Sequence, residues 1–520
     1  MRGNMEVRHA AMGTLTAALV LMCGVGRAST VTTESADEAA LAREVLAAAR
    51  GAPALLCGLA GRAVDGRFGG WGWFAPPDLL GDTSGALRWA MTDRPDDAAV
   101  GVLLAGLEEQ DDCVRAIAAR LVAHAGTPAA TTGLLTALRS GSAGTRAASA
   151  LALGLATPPE SVDPLIGRLG DEVADVRRAA AWALGVLEDS RAEAPLRRAL
   201  ADAAAPVRAA AAQALGRLED TAAVAALARV LQNDTDVRVR RAAAAALGRI
   251  EHPASAEALT RALAGDRDDE VRRTAAWGLG QLGHRAAVNA LSTALADSST
   301  AVREMATWAM GQIEDKAAVP ALSRALRSDA AVEVRRRAAW ALGQIQDQGA
   351  VESLAAALQS DRDREVRKTA VWALGQIEAE SAVPALQAAL SDSAAGVRRT
   401  VAWALGQIES RDAVPALSTA LRGDRDAEVR STAAWALGQI EDPAAVPALR
   451  EAMRDPAAEV KRNAIWALTQ MDDESVRDAF VEMLQSTDPD VRATAARALG
   501  HGHVNPQPRP QPRPAPRPFP

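Results

Sequence analysis

Residues 429–441 read V-R-S-T-A-A-W-A-L-G-Q-I-E, and closely similar stretches recur along most of the chain. Successive copies place a tryptophan every 31 or 32 residues. A fixed period of this length is typical of stacked-repeat architectures, in which no single repeat can bury its apolar face alone. The tryptophans of this row are Trp277, Trp308, Trp340, Trp372, Trp403, Trp435 and Trp466.

The repeat extends beyond the tryptophan row, because a Val-Arg pair near the start of each copy can be followed further in both directions. The arginine, replaced by lysine in one copy, recurs in phase from Arg115 to Arg492 and marks thirteen copies. A glycine follows eight residues later in most copies, for example Gly438 after Arg430. The sequence therefore predicts about thirteen equivalent units.

Each copy reads as two helices joined by a short polar turn. The first helix of one copy places Val414 and Leu421 on one face, and the second places Val429 and Leu437 on another. Asp426, between them, is predicted to cap the second helix by accepting hydrogen bonds from its free amides. The predicted fold class is all-α, an α-solenoid of about thirteen stacked helical hairpins with a period of 31–32 residues.

The recurring arginine lies on the flank of this apolar face. Arg430 is predicted to bond to a turn carboxylate or carbonyl of an adjacent repeat, with Asp424 and Asp426 as examples of such turn residues. Repeated along the chain, these bonds would tie neighbouring repeats together. The alternative is an exposed row of arginines that meets an acidic partner.

Composition limits the possible functions. The chain has 520 residues and a net charge of −7, with 58 basic and 65 acidic residues mixed along it. That balance lacks the basic surface expected of a nucleic-acid binder. Three cysteines cannot build a disulfide framework. Cys57 and Cys113 either pair in an oxidising compartment or are two unpaired buried thiols, and we favour the second interpretation.

The N-terminus resembles a targeting segment. Arg2 and Arg8 precede or border an apolar stretch at 10–26, which ends in a small-x-small pattern at 26–28. These features predict a signal peptide at 1–28 and an exported, periplasmic or extracellular protein. The alternative is that the segment stays uncleaved and anchors the chain in a membrane.

Three further regions follow. Residues 29–95 are predicted to form an N-terminal helical cap, with a Gly- and aromatic-rich loop at 66–82 that either covers the open end of the stack or contacts a ligand. Residues 96–500 form the repeat array. Residues 501–520 form a Pro/Arg-rich tail, predicted to be disordered or polyproline II, which serves as a spacer or as a docking peptide.

The repeats resemble HEAT repeats, especially the short bacterial form also found in phycobilisome-lyase-like proteins. The matching motifs are D-A-V-P-A-L at 412–417 and E-V-R-x-x-A-A-W-A-L-G-Q-I at 428–440. The resemblance covers about 96–500 and implies a scaffold that binds a protein or peptide along the curved surface formed by the second helices. A lyase-like accessory subunit that assists an enzyme is the alternative.

The residues themselves indicate no catalytic site. Histidines form no H-E-x-x-H pair, serines stand in no G-x-S-x-G context, and the recurring glycine lies alone inside a helix rather than in a phosphate loop. Deoxyhypusine hydroxylase, a HEAT-type enzyme, holds iron through His-Glu motifs, and this chain contains no His-Glu dipeptide. We therefore predict a non-enzymatic protein without catalytic, cofactor-binding or metal-ligating residues.

The tryptophan row is the candidate partner-binding surface. At about 100° per residue, Trp435 points away from the apolar face of its own helix. The ring either packs into an Ala/Gly notch of the adjoining repeat or belongs to an exposed aromatic ladder that binds a partner, or glycans of a cell wall. The burial of Trp372 and Trp403 distinguishes these alternatives. The predicted surface consists of the seven tryptophans named above and of Gln344, Gln376, Gln407 and Gln439.

Overall fold

The computed structural model describes residues 37–51, 93–139 and 141–471, with a few positions between 480 and 496. Within these ranges the regular structure is entirely helical, which confirms the predicted all-α class. The predicted signal peptide at 1–28, the loop at 66–82 and the tail at 501–520 lie outside the described residues. The chain divides into two compact units, at 1–133 and 134–520.

The described part of the N-terminal unit, 37–51 and 93–133, contains three complete helices and the beginning of a fourth. They are α1 (Glu38–Gly51), α2 (Asp97–Gly106), α3 (Asp112–Ala125) and α4 (Pro128–Arg139), of which α4 continues into the second unit. Helix α1 packs against both α2 and α3. Part of the region predicted to be an N-terminal cap is therefore helical and makes tertiary contacts.

The state of one cysteine differs from the one favoured in the sequence analysis. Cys113 lies in α3, is 3% exposed and is disulfide-bonded. The interpretation of this residue as an unpaired buried thiol is therefore wrong. The other two cysteines of the sequence, Cys23 and Cys57, lie outside the described residues.

The C-terminal unit is a regular series of alternating short and long helices. Each even-numbered helix from α6 to α24 is the first helix of a hairpin, and the following odd-numbered helix is the second. In chain order they are α5 (Ala143–Ala156), α6 (Val162–Arg168), α7 (Ala174–Leu187), α8 (Glu193–Ala199), α9 (Ala205–Arg217), α10 (Val224–Asn233), α11 (Val237–Ile250), α12 (Ser255–Gly265), α13 (Asp269–Leu282), α14 (Val288–Ala294), α15 (Thr300–Ile313), α16 (Val319–Ser328), α17 (Val332–Ile345), α18 (Val351–Ser360), α19 (Arg364–Gln376), α20 (Val383–Ala389), α21 (Ala395–Ile408), α22 (Val414–Gly423), α23 (Ala427–Ile440), α24 (Val446–Ala452) and α25 (Ala458–Gln470).

Stacking follows one rule throughout this unit. Each second helix packs against the second helices before and after it, and each first helix packs against the second helix of its own hairpin. Helices α2 to α25 make twelve hairpins in the described part of the chain. The thirteenth predicted hairpin, around Arg492, lies mostly outside that part.

The apolar faces predicted from the sequence form the core. Val429, Leu437 and Leu417 are completely buried where α22 and α23 meet. Asp426 caps α23, since its carboxylate accepts hydrogen bonds from the backbone amides of Glu428 and Val429 at 2.9 and 3.3 Å. Local pattern and long-range packing therefore agree in the repeat on which the prediction was based.

Candidate functional site

Neighbouring hairpins are joined by a ladder of arginine–aspartate pairs. The Arg430 guanidinium donates to both carboxylate oxygens of Asp455, through Nε at 2.7 Å and Nη2 at 2.9 Å, and its Nη1 donates to the Asp424 carbonyl at 2.8 Å. This two-point geometry gives the strongest arginine–carboxylate interaction. The described residues form ten such pairs: Arg146–Asp171, Arg177–Asp202, Arg208–Asp234, Arg240–Asp266, Arg272–Asp297, Arg303–Asp329, Arg335–Asp361, Arg367–Asp392, Arg398–Asp424 and Arg430–Asp455.

The ladder confirms the structural interpretation of the Val-Arg motif. In the pair Arg272–Asp297 the side chains are only 14% and 11% exposed. The Arg272 hydrogen bond lowers the pKa of the Asp297 carboxyl below its usual value. Because these arginines are already paired inside the array, the alternative of an exposed row that meets an acidic partner is wrong for them.

The tryptophan rings are mostly buried. Trp403 is 4% exposed, although its side chain points away from the apolar face of its own helix. Trp372, the other ring chosen to distinguish packing from recognition, is partly exposed. The remaining rings are Trp277, Trp308, Trp340 and Trp435, all buried, and Trp466, which is partly exposed.

Each ring lies over the recurring glycine of the preceding hairpin. A Cβ atom built on Gly375 would stand 2.7 Å from Cζ3 of Trp403, closer than carbon atoms approach in folded proteins. Trp182, outside the predicted row of seven, lies over Gly154 in the same way. The row therefore packs helix against helix, and the buried rings are not an exposed ladder on which a glycan could stack.

We expect Gly406→Ala to lower the free energy of unfolding by about 1–3 kcal/mol through overpacking. Its new Cβ would meet the Ala436 Cα at 2.8 Å and the Trp435 ring at 2.9 Å, so two second helices must separate. Chemical denaturation followed by circular dichroism measures the change.

Gly167→Ala is the matched control, since a Cβ at this position in α6 meets nothing within 4 Å. There the better helix propensity of alanine is expected to stabilise the protein by about 0.5–1 kcal/mol. Equal stability changes in the two variants would contradict the role assigned to the recurring glycine.

The four predicted glutamines lie beside the tryptophans with their side chains half-buried. Gln439 follows Trp435 by one helical turn, and Gln407 follows Trp403 in the same way. Within the described part of the chain, the side-chain amides of four glutamines form no hydrogen bonds, so they can bond to a partner. These are Gln344, Gln376, Gln407 and Gln439. We call the surface formed by the tryptophan and glutamine positions of α5 to α25 the second-helix surface.

A row of glutamates borders this surface, and the sequence analysis missed it. Glu441 follows α23 with a left-handed backbone (φ 54°), a conformation that favours glycine, as at Gly283 (φ 61°). A carboxylate is also unfavourable beside the negative end of a helix. The exposed glutamates in this conformation are Glu188, Glu219, Glu251, Glu314, Glu378, Glu409 and Glu441, and none forms an ion pair among the described residues.

The second helices α5, α7, α9 and α11 depart from the pattern of the second-helix surface, α5 and α7 through an apolar residue at the glutamine position (Leu155 and Val186). The tryptophan position holds Gln213 in α9 and Ala245 in α11, and the glutamine position holds Arg217 and Arg249. The absence of these two tryptophans can be seen in the sequence. Whether the arginines beside them are paired or free depends on the residues that the neighbouring helices place near them.

In the described residues, no group of three or more histidine, cysteine, aspartate or glutamate side chains is placed to hold a metal ion. Among the described helices, none combines the length and the apolar composition that a membrane-spanning segment requires. The apolar stretch at 10–26 lies outside the described residues.

Stacked helical hairpins, joined by an arginine–aspartate ladder and by rings set over glycines, define a repeat protein of the α-solenoid class. A family model for HEAT repeats matches the chain in seven overlapping segments, and the chain belongs to that family. The matched segments are 100–185, 131–215, 193–273, 260–332, 324–400, 383–460 and 451–505.

Solved structures similar to this chain include structures of Kap95p. Kap95p bound to RanGDP is 15% identical, with a TM-score of 0.54 over 89% of this chain and 76% of that one. Yeast importin-β (Kap95p) is also 15% identical, with a TM-score of 0.48 over 80% of this chain and 68% of that one. Human deoxyhypusine hydroxylase is 26% identical but superposes poorly, with a TM-score of 0.23 over 48% of this chain and 95% of that one. No curated protein matches the sequence.

Proposed function

We propose that this chain is a non-enzymatic scaffold that binds a protein or peptide along its second-helix surface. The observation that carries the proposal is the side-by-side packing of the second helices from α5 to α25. This packing places equivalent positions of successive hairpins in continuous rows, such as the unbonded amides of Gln376, Gln407 and Gln439. Repeated rows of this kind suit an extended partner better than a small molecule.

The likeness to Kap95p supports the same proposal. Kap95p binds RanGDP, so a solenoid of this fold is able to bind another protein. At 15% identity the likeness concerns the fold. For this chain the expectation is therefore a protein partner, without any indication that it is RanGDP.

A crosslinking experiment tests the proposal. A photoreactive amino acid is placed at Gln376 or Gln407, and in a control protein at Arg327, which is exposed on a first helix. In native extracts we expect covalent protein adducts from the two second-helix positions and none from Arg327. Adducts of equal yield at all three positions, or none at all, would refute partner binding on this surface.

We also propose that the chain is exported. The basic and apolar N-terminal pattern at 2–28 supports this. The disulfide-bonded Cys113 is in keeping with it, because disulfides persist in oxidising compartments. N-terminal sequencing of the protein isolated from its native cells is the test: a start near Ser29 in the envelope or medium fraction is expected, whereas intact protein in the cytosol would disprove export.

A further inference from the structure

The second-helix surface repeats the same residues along most of its length. From α13 to α25 every second helix carries tryptophan and, four residues later, glutamine. A partner that recognised only these rows would bind equally well after a shift of one hairpin. Recognition at a defined place therefore needs a position where the surface differs.

Helices α9 and α11 provide such a position. Arg217 and Arg249 occupy the glutamine positions of these consecutive second helices, which pack against each other. Ala245 replaces the tryptophan between Arg241 and Arg249, so no ring from α11 lies over Gly216 of α9, whereas Trp277 of α13 still lies over Gly248 of α11. All three arginine side chains are exposed.

These arginines lack the carboxylates that arginines of the ladder have. Neither Arg217, Arg241 nor Arg249 forms an ion pair or a side-chain hydrogen bond within the described ranges. Arg249 remains exposed to solvent, but the protein atoms around its guanidinium displace part of its hydration, and this partial desolvation, together with the positive charge of Arg217, lowers the pKa of Arg249. Two like charges thus stand near each other at the ends of neighbouring helices, without an internal partner to compensate them.

From this arrangement we infer that Arg217 and Arg249, flanked by Arg241, bind carboxylates of an acidic segment in the partner protein and so fix its register on the array. The inference rests on the proposed function, because it concerns the same second-helix surface. It names the chemistry of the partner and the two hairpins at which that chemistry is recognised.

Carboxylates fit this site for two reasons. The ladder shows that arginine in this repeat takes a carboxylate through two hydrogen bonds, for example from Arg208 to Asp234 at 2.7 and 2.8 Å. The glutamates Glu219 and Glu251, two residues after the arginines, would repel a densely charged polyanion such as a nucleic acid. A partner segment that brings one carboxylate to Arg217 and one to Arg249 carries few charges, so the repulsion from Glu219 and Glu251 is small.

A stabilising role alone would not account for the pair. Arginine in the last turn of a helix interacts favourably with the helix dipole, but the repulsion between Arg217 and Arg249 opposes this gain. The other second helices from α13 to α25 use glutamine at this position. The double variant R217Q/R249Q therefore restores the common residue of the repeat, and we expect its melting temperature to equal that of the native protein.

Binding of a fluorescein-labelled peptide whose glutamates are separated by neutral residues to the full chain tests the inference by fluorescence anisotropy. R217Q/R249Q is expected to weaken binding about tenfold, the combined effect of two exposed ion pairs. The matched control R324Q/R327Q removes two exposed arginines from the first helix α16 and is expected to bind like the native protein. Equal affinities in both double variants would overturn the inference.

Two further readouts separate the possible failures. Inorganic phosphate that displaces the peptide more effectively than free glutamate would assign the arginines to phosphate and overturn the carboxylate site.

In the crosslinking experiment, R217Q/R249Q is expected to reduce the partner adducts at Gln376 and Gln407 or to move them along the partner sequence. Unchanged adducts would refute the register inference while the scaffold proposal stands, whereas absence of adducts in the native protein would refute the scaffold proposal itself.

Discussion

Trp403→Ala is expected to lower the free energy of unfolding by about 3–5 kcal/mol, the usual cost of truncating a buried aromatic side chain. The ring is 4% exposed and fills the notch over Gly375, so its loss leaves a cavity between α19 and α21. Each hairpin of a solenoid is stabilised mainly by its neighbours. Truncation at this interface therefore weakens both helices that share it.

Two variants of the same surface serve as controls. Trp403→Phe keeps an aromatic ring and removes a buried indole N–H that has no hydrogen-bond partner, so we expect a smaller loss of stability than with alanine. Gln407→Ala, one turn further along α21, removes a half-buried amide without a bonding partner, and its effect is expected within about 0.5 kcal/mol. If Trp403→Ala retained full stability and lost only partner binding, the ring would be a recognition residue and the packing role would be wrong.

The sequence was sufficient to predict the repeat fold, but it was not sufficient to predict the burial of the tryptophan rings. The period, the hairpins, the buried face through Val429 and Leu437, the Asp426 cap and the arginine ladder all followed from the sequence pattern. Helical angles also placed Trp435 opposite its own core. They could not show whether the adjoining helix comes close enough to cover the ring, because that distance is set by the glycine of the other hairpin.

The arginine pair was missed for a related reason. A sequence shows that Arg217 and Arg249 occupy equivalent positions, but it does not show whether a turn aspartate of the neighbouring hairpin reaches them, as it reaches Arg208 and Arg240. The same side chain is structural where a carboxylate is supplied from within and available for recognition where none is. Only the packed array makes this distinction.

Arg272→Ala is expected to cost about 3 kcal/mol of unfolding free energy, as when one partner of a largely buried ion pair is removed. The substitution leaves the Asp297 carboxylate 11% exposed without its guanidinium, and the Asp266 carbonyl loses its bond to Nη1. Arg273→Ala is the matched control, since among the described residues Arg273 pairs with Glu270 alone, on its own helix. Its loss is expected to cost about 0.5 kcal/mol.

The ladder also makes the free energy of unfolding depend on pH. The pKa of Asp297 is lowered chiefly by the Arg272 hydrogen bond, and that of Asp202 by Arg177. A carboxyl group whose pKa is lower in the folded state adds stability that is fully present above its unfolded pKa, about 4. This contribution is lost as the pH falls from there through the lowered folded value. The urea midpoint of the native protein is therefore expected to be constant from pH 7 to about pH 5 and to fall steeply below pH 4.

Arg272→Ala provides the test of this assignment. With the guanidinium absent, the pKa of Asp297 rises toward its unfolded value, so the variant is expected to lose less stability between pH 5 and pH 3 than the native protein does. The double variant R272A/D297A, which leaves no unpaired carboxylate, is expected to be more stable at pH 7 than R272A alone. Parallel pH profiles for the native protein and R272A would contradict the role of this pair. The acid sensitivity would then arise from carboxylates outside the ladder, such as Asp236, whose pKa is lowered to about 2 by its bond to Arg238.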